Sequence, residues 1–321
     1  MDRKRPTGGL ILVVCALLLG GAGAAGLASR VHPARWLAPG ADPVAALGSA
    51  YVECLKPPAD PEQAYLVAIG RTAFRTPMVL GGQAARAGIA CESCHQGGRR
   101  NPDFFFPGLS GAPGTADVTS ALFSSHRDDG IDNPRPIPDL SGPKSALKIA
   151  QDPADPALET FIHGLVTQEF DGAEPPPTVL KGLAAYVRAL DPAACPAKPR
   201  TAVRVSAYID EARDAVRAAA AALDRHDAAT AALMLEGARW RLGLMDERYD
   251  EPASVGARAQ LQAAALDLTA DLAAIRAGDP KASRRLNLWL ARTPEWSVPL
   301  EREEHHSLFD TGRLAEAARG G

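Results

Sequence analysis

Residues 91–95 read C-E-S-C-H, inside the stretch GIACESCHQGGRR. Two thiols and an imidazole within five residues leave few folds open, because each chemistry that uses them dictates its own surroundings. C-x-x-C-H is the spacing for covalent attachment of a c-type haem. Each thiol adds across one vinyl group of the porphyrin, and two intervening residues match the distance between the vinyls. The adjacent histidine then reaches the iron as proximal ligand. A thioredoxin-like C-x-x-C would need a βαβ context, and none is visible. Half of a zinc site would need a second ligand pair nearby, and the chain has no second C-x-x-C. Cys91 and Cys94 are therefore read as the anchors of one covalent haem c, and His95 as its proximal iron ligand.

The N-terminus supplies the compartment such chemistry needs. Arg3, Lys4 and Arg5 precede a dense apolar run over residues 10–19, and Ala22-Gly23-Ala24 fits an A-x-A cleavage site. Residues 1–29 read as an export signal. Because residues 8–28 carry no charge and are long enough to span a bilayer, a retained membrane anchor is the other reading. Either way the remainder is expected in the periplasm, which is oxidising. Of five cysteines, Cys15 lies in the apolar run and two belong to the haem motif. Cys54 and Cys195 remain, one on each side of the haem segment, and are expected to form a disulfide.

The composition changes along the chain. Residues 45–198 form the expected c-type haem domain. PEQAYLVAIGRTAF (61–74) has helical apolar spacing at Tyr65, Ala68 or Ile69, and Ala73. TVLKGLAAYVRAL (178–190) puts Leu183, Tyr186, Val187 and Leu190 on one face. Between them, residues 75–160 are rich in Gly and Pro, as suits loops around a prosthetic group. DPAACPAKPRTA (191–202) reads as a linker. Residues 203–321 are expected to be an alanine-rich helical bundle and a polar tail, with helices near 203–225, 228–249 and 254–277. A fourth helix is expected to be capped by Asp279 with Pro280 at its first position. The fold class is all-α: a cytochrome c-like haem domain followed by an antiparallel bundle. The net charge of −3 offers no basic field for nucleic acid. No phosphate loop, G-x-S-x-G or H-E-x-x-H occurs.

Around the motif the chain resembles c-type cytochromes. Gly70 and Phe74, spaced G-x-x-x-F, look like the N-terminal helix of class I cytochromes c, and LAAYVRAL resembles the C-terminal helix that the glycine lets approach. Over about residues 60–192 the chain also resembles the bacterial di-haem cytochrome c peroxidase and MauG-like family, in IGRTAFRTPMVLGGQAARAGIACESCH and in SSHRDDGIDNPRPIPDL. That resemblance implies His126, ahead of Asn133-Pro134, as the distal iron ligand. It stops short of the C-terminal helices. The family's peroxidases carry two C-x-x-C-H motifs and this chain has one, so their two-haem cycle is not available within it.

Other residues carry two readings each. His126 is also a surface histidine in a polar loop. His163, in ETFIHGLVTQEF, is the alternative sixth ligand or a packed core histidine, and Met78 is a third choice. Phe104, Phe105 and Phe106 read as an apolar haem wall or core. Arg99 and Arg100 read as propionate partners or exposed arginines, and His305 and His306 as a metal site or part of a solvated tail. A single haem sealed on both faces implies electron transfer with a redox partner protein. A displaceable distal ligand implies instead a peroxidase-like enzyme.

Overall fold

The computed structural model describes residues 21–127 and 129–319. It is mostly helical, with 59% helix and 5% strand. The basic and apolar parts of the expected export signal, residues 1–20, lie outside the described residues. Helix α1 (Gly21–Arg30) carries Leu27 into a small core with Val31, Leu47, Leu308 and Leu314. Among the described residues no helix is long and apolar enough to cross a membrane.

Two helices frame the motif. α3 (Pro61–Phe74), after α2 (Pro43–Gly48), starts where the Asp60 carboxylate accepts from the Gln63 N–H and Pro61 takes the first helical position. It buries Tyr65, Ile69, Ala73 and Phe74, so of the alternatives at 68 and 69 the isoleucine faces inward. After α4 (Pro77–Leu80), α5 (Gly82–Arg86), α6 (Cys91–Cys94) and α7 (Ala157–Gly164), α8 (Pro177–Ala189) packs against α3. The pair crosses backbone to backbone. A Cβ on Gly70 would stand 1.9 Å from the Gly182 carbonyl oxygen.

The lead-in to α3, residues 30–60, and the 191–202 segment are stitched together. Strand β1 (Ser49–Tyr51) pairs antiparallel with β4 (Arg200–Ala202), and β2 (Thr115–Ala116) pairs with β3 (Arg135–Pro136) in the loop region. Cys54 and Cys195 are disulfide-bonded, as expected, with Cα atoms 4.2 Å apart and a separation of 141 residues. In the chain-entropy picture, closing so long a loop stabilises the fold by about 4–5 kcal/mol. Residues 191–202 are thus pinned at both ends.

The C-terminal helices follow the expected apolar stripes. α9 (Val205–Asp224), α10 (Ala228–Asp246) and α11 (Val255–Arg276) pack in sequence, joined by short turns. α9 also packs on α3, and one continuous buried cluster runs from Tyr65 through Leu183 and Leu235 to Phe309. Some expectations need correction. α12 spans Ala282–Ala291 and begins after Pro280; Asp279 caps the turn ahead of it by accepting from the Lys281 N–H. The end of the chain is no solvated tail: α13 (Thr293–Arg302) and α14 (Thr311–Arg319) are helical, and Trp296, Leu300, Leu308 and Phe309 are buried.

The crossing gives a direct test. Gly70→Ala and Gly182→Ala each force two backbones apart and are expected to cost about 3 kcal/mol. Gly243→Ala is the control: its Cβ meets nothing within 4 Å on α10, so the helix is expected to gain up to about 1 kcal/mol. Urea midpoints of the three variants measure both.

Candidate functional site

The motif sits on one helical turn held at both ends. At its start the Ala90 N–H donates to Ser93 Oγ (3.1 Å), and the Ser93 N–H donates back to the Ala90 carbonyl (2.9 Å). At its end the His95 N–H closes the turn on the Cys91 carbonyl. Gly97 and Gly98 then adopt positive φ, and a Cβ on either would strike Tyr51 or Leu190. A single turn places Cys91 and Cys94 on one face with His95 beside them. The thiols are free. Both residues keep some exposed surface, yet burial around each sulfur pushes the thiol up to about 12, so both stay protonated at neutral pH.

The imidazole of His95 is oriented from the far side of the loop region. Its Nδ1 lies 3.0 Å from the Pro138 carbonyl, which only accepts, so Nδ1 carries the proton and Nε2 keeps its lone pair. The carbonyl is itself fixed: Ile137 N–H donates to Gly114 and Leu140 N–H to Gly98. Burial lowers the imidazole to about 4, with the Pro138 contact opposing, so the ring is neutral. Phe74 lies beside it at 6.2 Å between ring centres, and Tyr186 stands 5.0 Å beyond Phe74.

The other residues singled out from sequence are scattered. His126 is 63% exposed, with Nε2 3.8 Å from Asp171. Its loop is tied down by Ser125 N–H on the Asp171 carboxylate and Ser124 Oγ on the Gln168 carbonyl. His163 is half-exposed, not packed in the core, and its Nε2 is 2.8 Å from Glu174. Met78 is exposed. Phe104 is buried, while Phe106 stacks on Trp36 at 4.3 Å. Arg99 is not an exposed arginine: its guanidinium rests on the disulfide, 2.9 Å from Cys54 Sγ. Arg100 is exposed. His305 and His306 lie side by side with their rings tilted 43° to each other, and among the described residues no three His, Cys, Asp or Glu side chains converge as a metal site.

A cluster that sequence reading missed lies behind the motif. Glu92, between the two cysteines, accepts from Arg75 Nε at 3.0 Å and from Arg241 Nη2 at 2.5 Å. Arg75 also meets Glu53 at 2.8 Å, which accepts in turn from the Tyr186 hydroxyl at 2.6 Å. Arg241 meets Glu211 at 3.0 Å. Burial would raise the Glu92 carboxyl, but Arg75 and Arg241 outweigh it and hold it down to about 2. Glu53 is lowered in the same way, by Arg75 and Arg71 against burial. No local pattern announces these pairs, because Arg241 lies 149 residues from Glu92.

Comparison with protein-family models, with curated proteins and with solved structures finds no match for this chain.

The depressed Glu92 carboxyl sets a pH dependence. Its value in the fold lies below the ordinary 4.5, so its stabilisation is complete above about pH 4.5 and is lost as pH falls toward 2. The expected loss across that window is on the order of 3 kcal/mol. Urea midpoints from pH 6 to pH 2 (approximately the window of interest) measure it. Glu92→Gln should be less stable at pH 6 and show a shallower fall. An unchanged slope would remove Glu92 from the account.

Proposed function

We propose that this chain is an exported c-type cytochrome that holds one haem covalently through Cys91 and Cys94, with His95 as proximal ligand, and works in electron transfer. The observation that carries the reading is the contact of His95 Nδ1 with the Pro138 carbonyl. A ring locked with its proton on Nδ1, toward the Pro138 carbonyl, offers Nε2 to a metal. An isolated imidazole beside two free thiols makes no complete metal site, but it would supply the one protein ligand and the two covalent anchors that a haem needs. The crossing of α3 and α8 at Gly70 and Gly182 supports the resemblance to cytochromes c, and the disulfide suits an oxidising compartment.

Bound there, the haem would supply a one-electron couple. The protein's own part is to anchor, orient and shield. Cys91 and Cys94 would anchor the haem, the Pro138 carbonyl orients the imidazole that would bind it, and Phe74 and Tyr186 back that imidazole with apolar surface. Electrons would pass to and from a redox partner protein. A second reading, a peroxidase-like enzyme with a displaceable distal ligand, is favoured by one observation: His126 sits exposed on a loop, where an imidazole has room to swing.

Protein matured in a periplasm is expected to gain one haem by mass spectrometry, resistant to acid-acetone extraction. The Cys91→Ala, Cys94→Ala double variant is expected to gain none. Covalent haem in that variant would overturn the assignment.

The distal ligand separates the two readings. A low-spin spectrum without the sulfur-to-iron band of methionine ligation is expected, together with slow CO binding by the ferrous protein. His126→Gly should convert the ferric spectrum to high-spin. An unchanged low-spin spectrum moves the assignment to His163, and rapid CO binding with peroxide turnover by the unmutated protein replaces electron transfer with the enzyme.

A further inference from the structure

C-x-x-C-H prescribes three residues of five and leaves two free. Here one of the free positions holds a carboxylate, and that carboxylate is gripped both from α3 and from the C-terminal helices. Arg75 ends α3, Glu92 sits in α6, Glu211 lies on α9 and Arg241 on α10. Arg75 and Arg241 are each only 8% exposed. Both oxygens of Glu92 are used, one by each guanidinium. Glu211 is shared between the same two cations, at 3.6 Å from Arg75 and 3.0 Å from Arg241.

We infer that Arg75, Glu92, Glu211 and Arg241 form a charged latch by which the C-terminal helices hold the haem-attachment turn and set the redox poise of the haem it carries. The inference rests on the haem reading above and concerns positioning residues, not catalytic ones. Side-chain packing does not fill this region: a cavity of about 200 Å³ opens here, bordered by Trp36 and Tyr51 ahead of α3, by Glu92 in the turn, and by Tyr208 and Arg241 on α9 and α10. Charged contacts are what bridges it. The cluster also reaches the motif from a second side. Arg75 holds Glu53, Glu53 holds the Tyr186 hydroxyl, and the Tyr186 ring leads through Phe74 to His95. A carboxylate beside the haem favours the more positive ferric state, and a guanidinium favours the ferrous state. Arg75 and Arg241 are largely withdrawn from solvent, so those preferences are only partly averaged away.

The test is the reduction potential of haem-loaded, full-length protein, with haem content checked by its pyridine haemochrome spectrum. Glu92→Gln is expected to raise the potential, by about tenfold in the ferric-to-ferrous equilibrium, or about 59 mV for a one-electron couple. Arg241→Gln is expected to lower it, and Arg241→Lys, which keeps the charge, to leave it near the wild-type value. A packing role alone would not give shifts of opposite sign. Glu211→Gln, farther along the latch, should raise the potential by less and serves if Glu92→Gln does not fold. Shifts of the same sign for the carboxylate and arginine variants, or no shifts, overturn the latch while leaving covalent haem intact. Wild-type protein without haem overturns the haem reading and the latch's redox role with it.

Discussion

The guanidinium of Arg75 is the point on which separate parts of this fold converge. It leaves the end of α3 almost wholly buried and meets Glu53 from the lead-in, Glu92 from the motif and Glu211 from α9. Burial alone would make this arginine easier to deprotonate, but the three carboxylates outweigh it and keep the charge firmly in place. Removing one member of such a cluster typically costs about 3–5 kcal/mol. Domains are stable by only about 5–15 kcal/mol. The cluster therefore acts less as a source of stability than as a condition the surrounding segments must satisfy together.

That condition links the two ends of the molecule. Glu53 is adjacent to Cys54, whose disulfide to Cys195 closes the segment that carries the motif, and Arg99 lies against that disulfide. Glu92 is inside the C-x-x-C-H turn, and Arg241 belongs to the C-terminal helices. The buried apolar cluster likewise crosses from α3 and α8 into α9 and α10 without a break. Composition divides the chain near residue 200, but the core does not follow that division.

The helices were legible where apolar spacing was regular. α3 and α8 to α11 lie where their stripes place them, within three residues at each end, because a buried face needs a 3.6-residue period whatever it packs against. α13 and α14 escaped notice because they are short and polar. Trp296 and Leu300 on α13 are spaced four apart as one buried face, a signal masked by Pro299 and by the charges of EREE. The Cys91, Cys94 and His95 unit was legible because the chemistry proposed for it demands fixed spacing. The surroundings of His126 and His163 were not: each lies beside a carboxylate that no local pattern announces.

By itself, the sequence determined the helical class, the pairing of Cys54 with Cys195 and the identity of Cys91, Cys94 and His95 as a unit. These follow from local periodicity, from cysteine count and from spacing along a few residues. Only the tertiary structure decided that Gly182 is the partner of Gly70, that Pro138 orients His95, and that Glu92 is held by Arg241. Those contacts join residues dozens to more than a hundred positions apart. Nothing in one stretch of chain encodes them, because they exist only once the helices have packed and the charges between them have nowhere else to go.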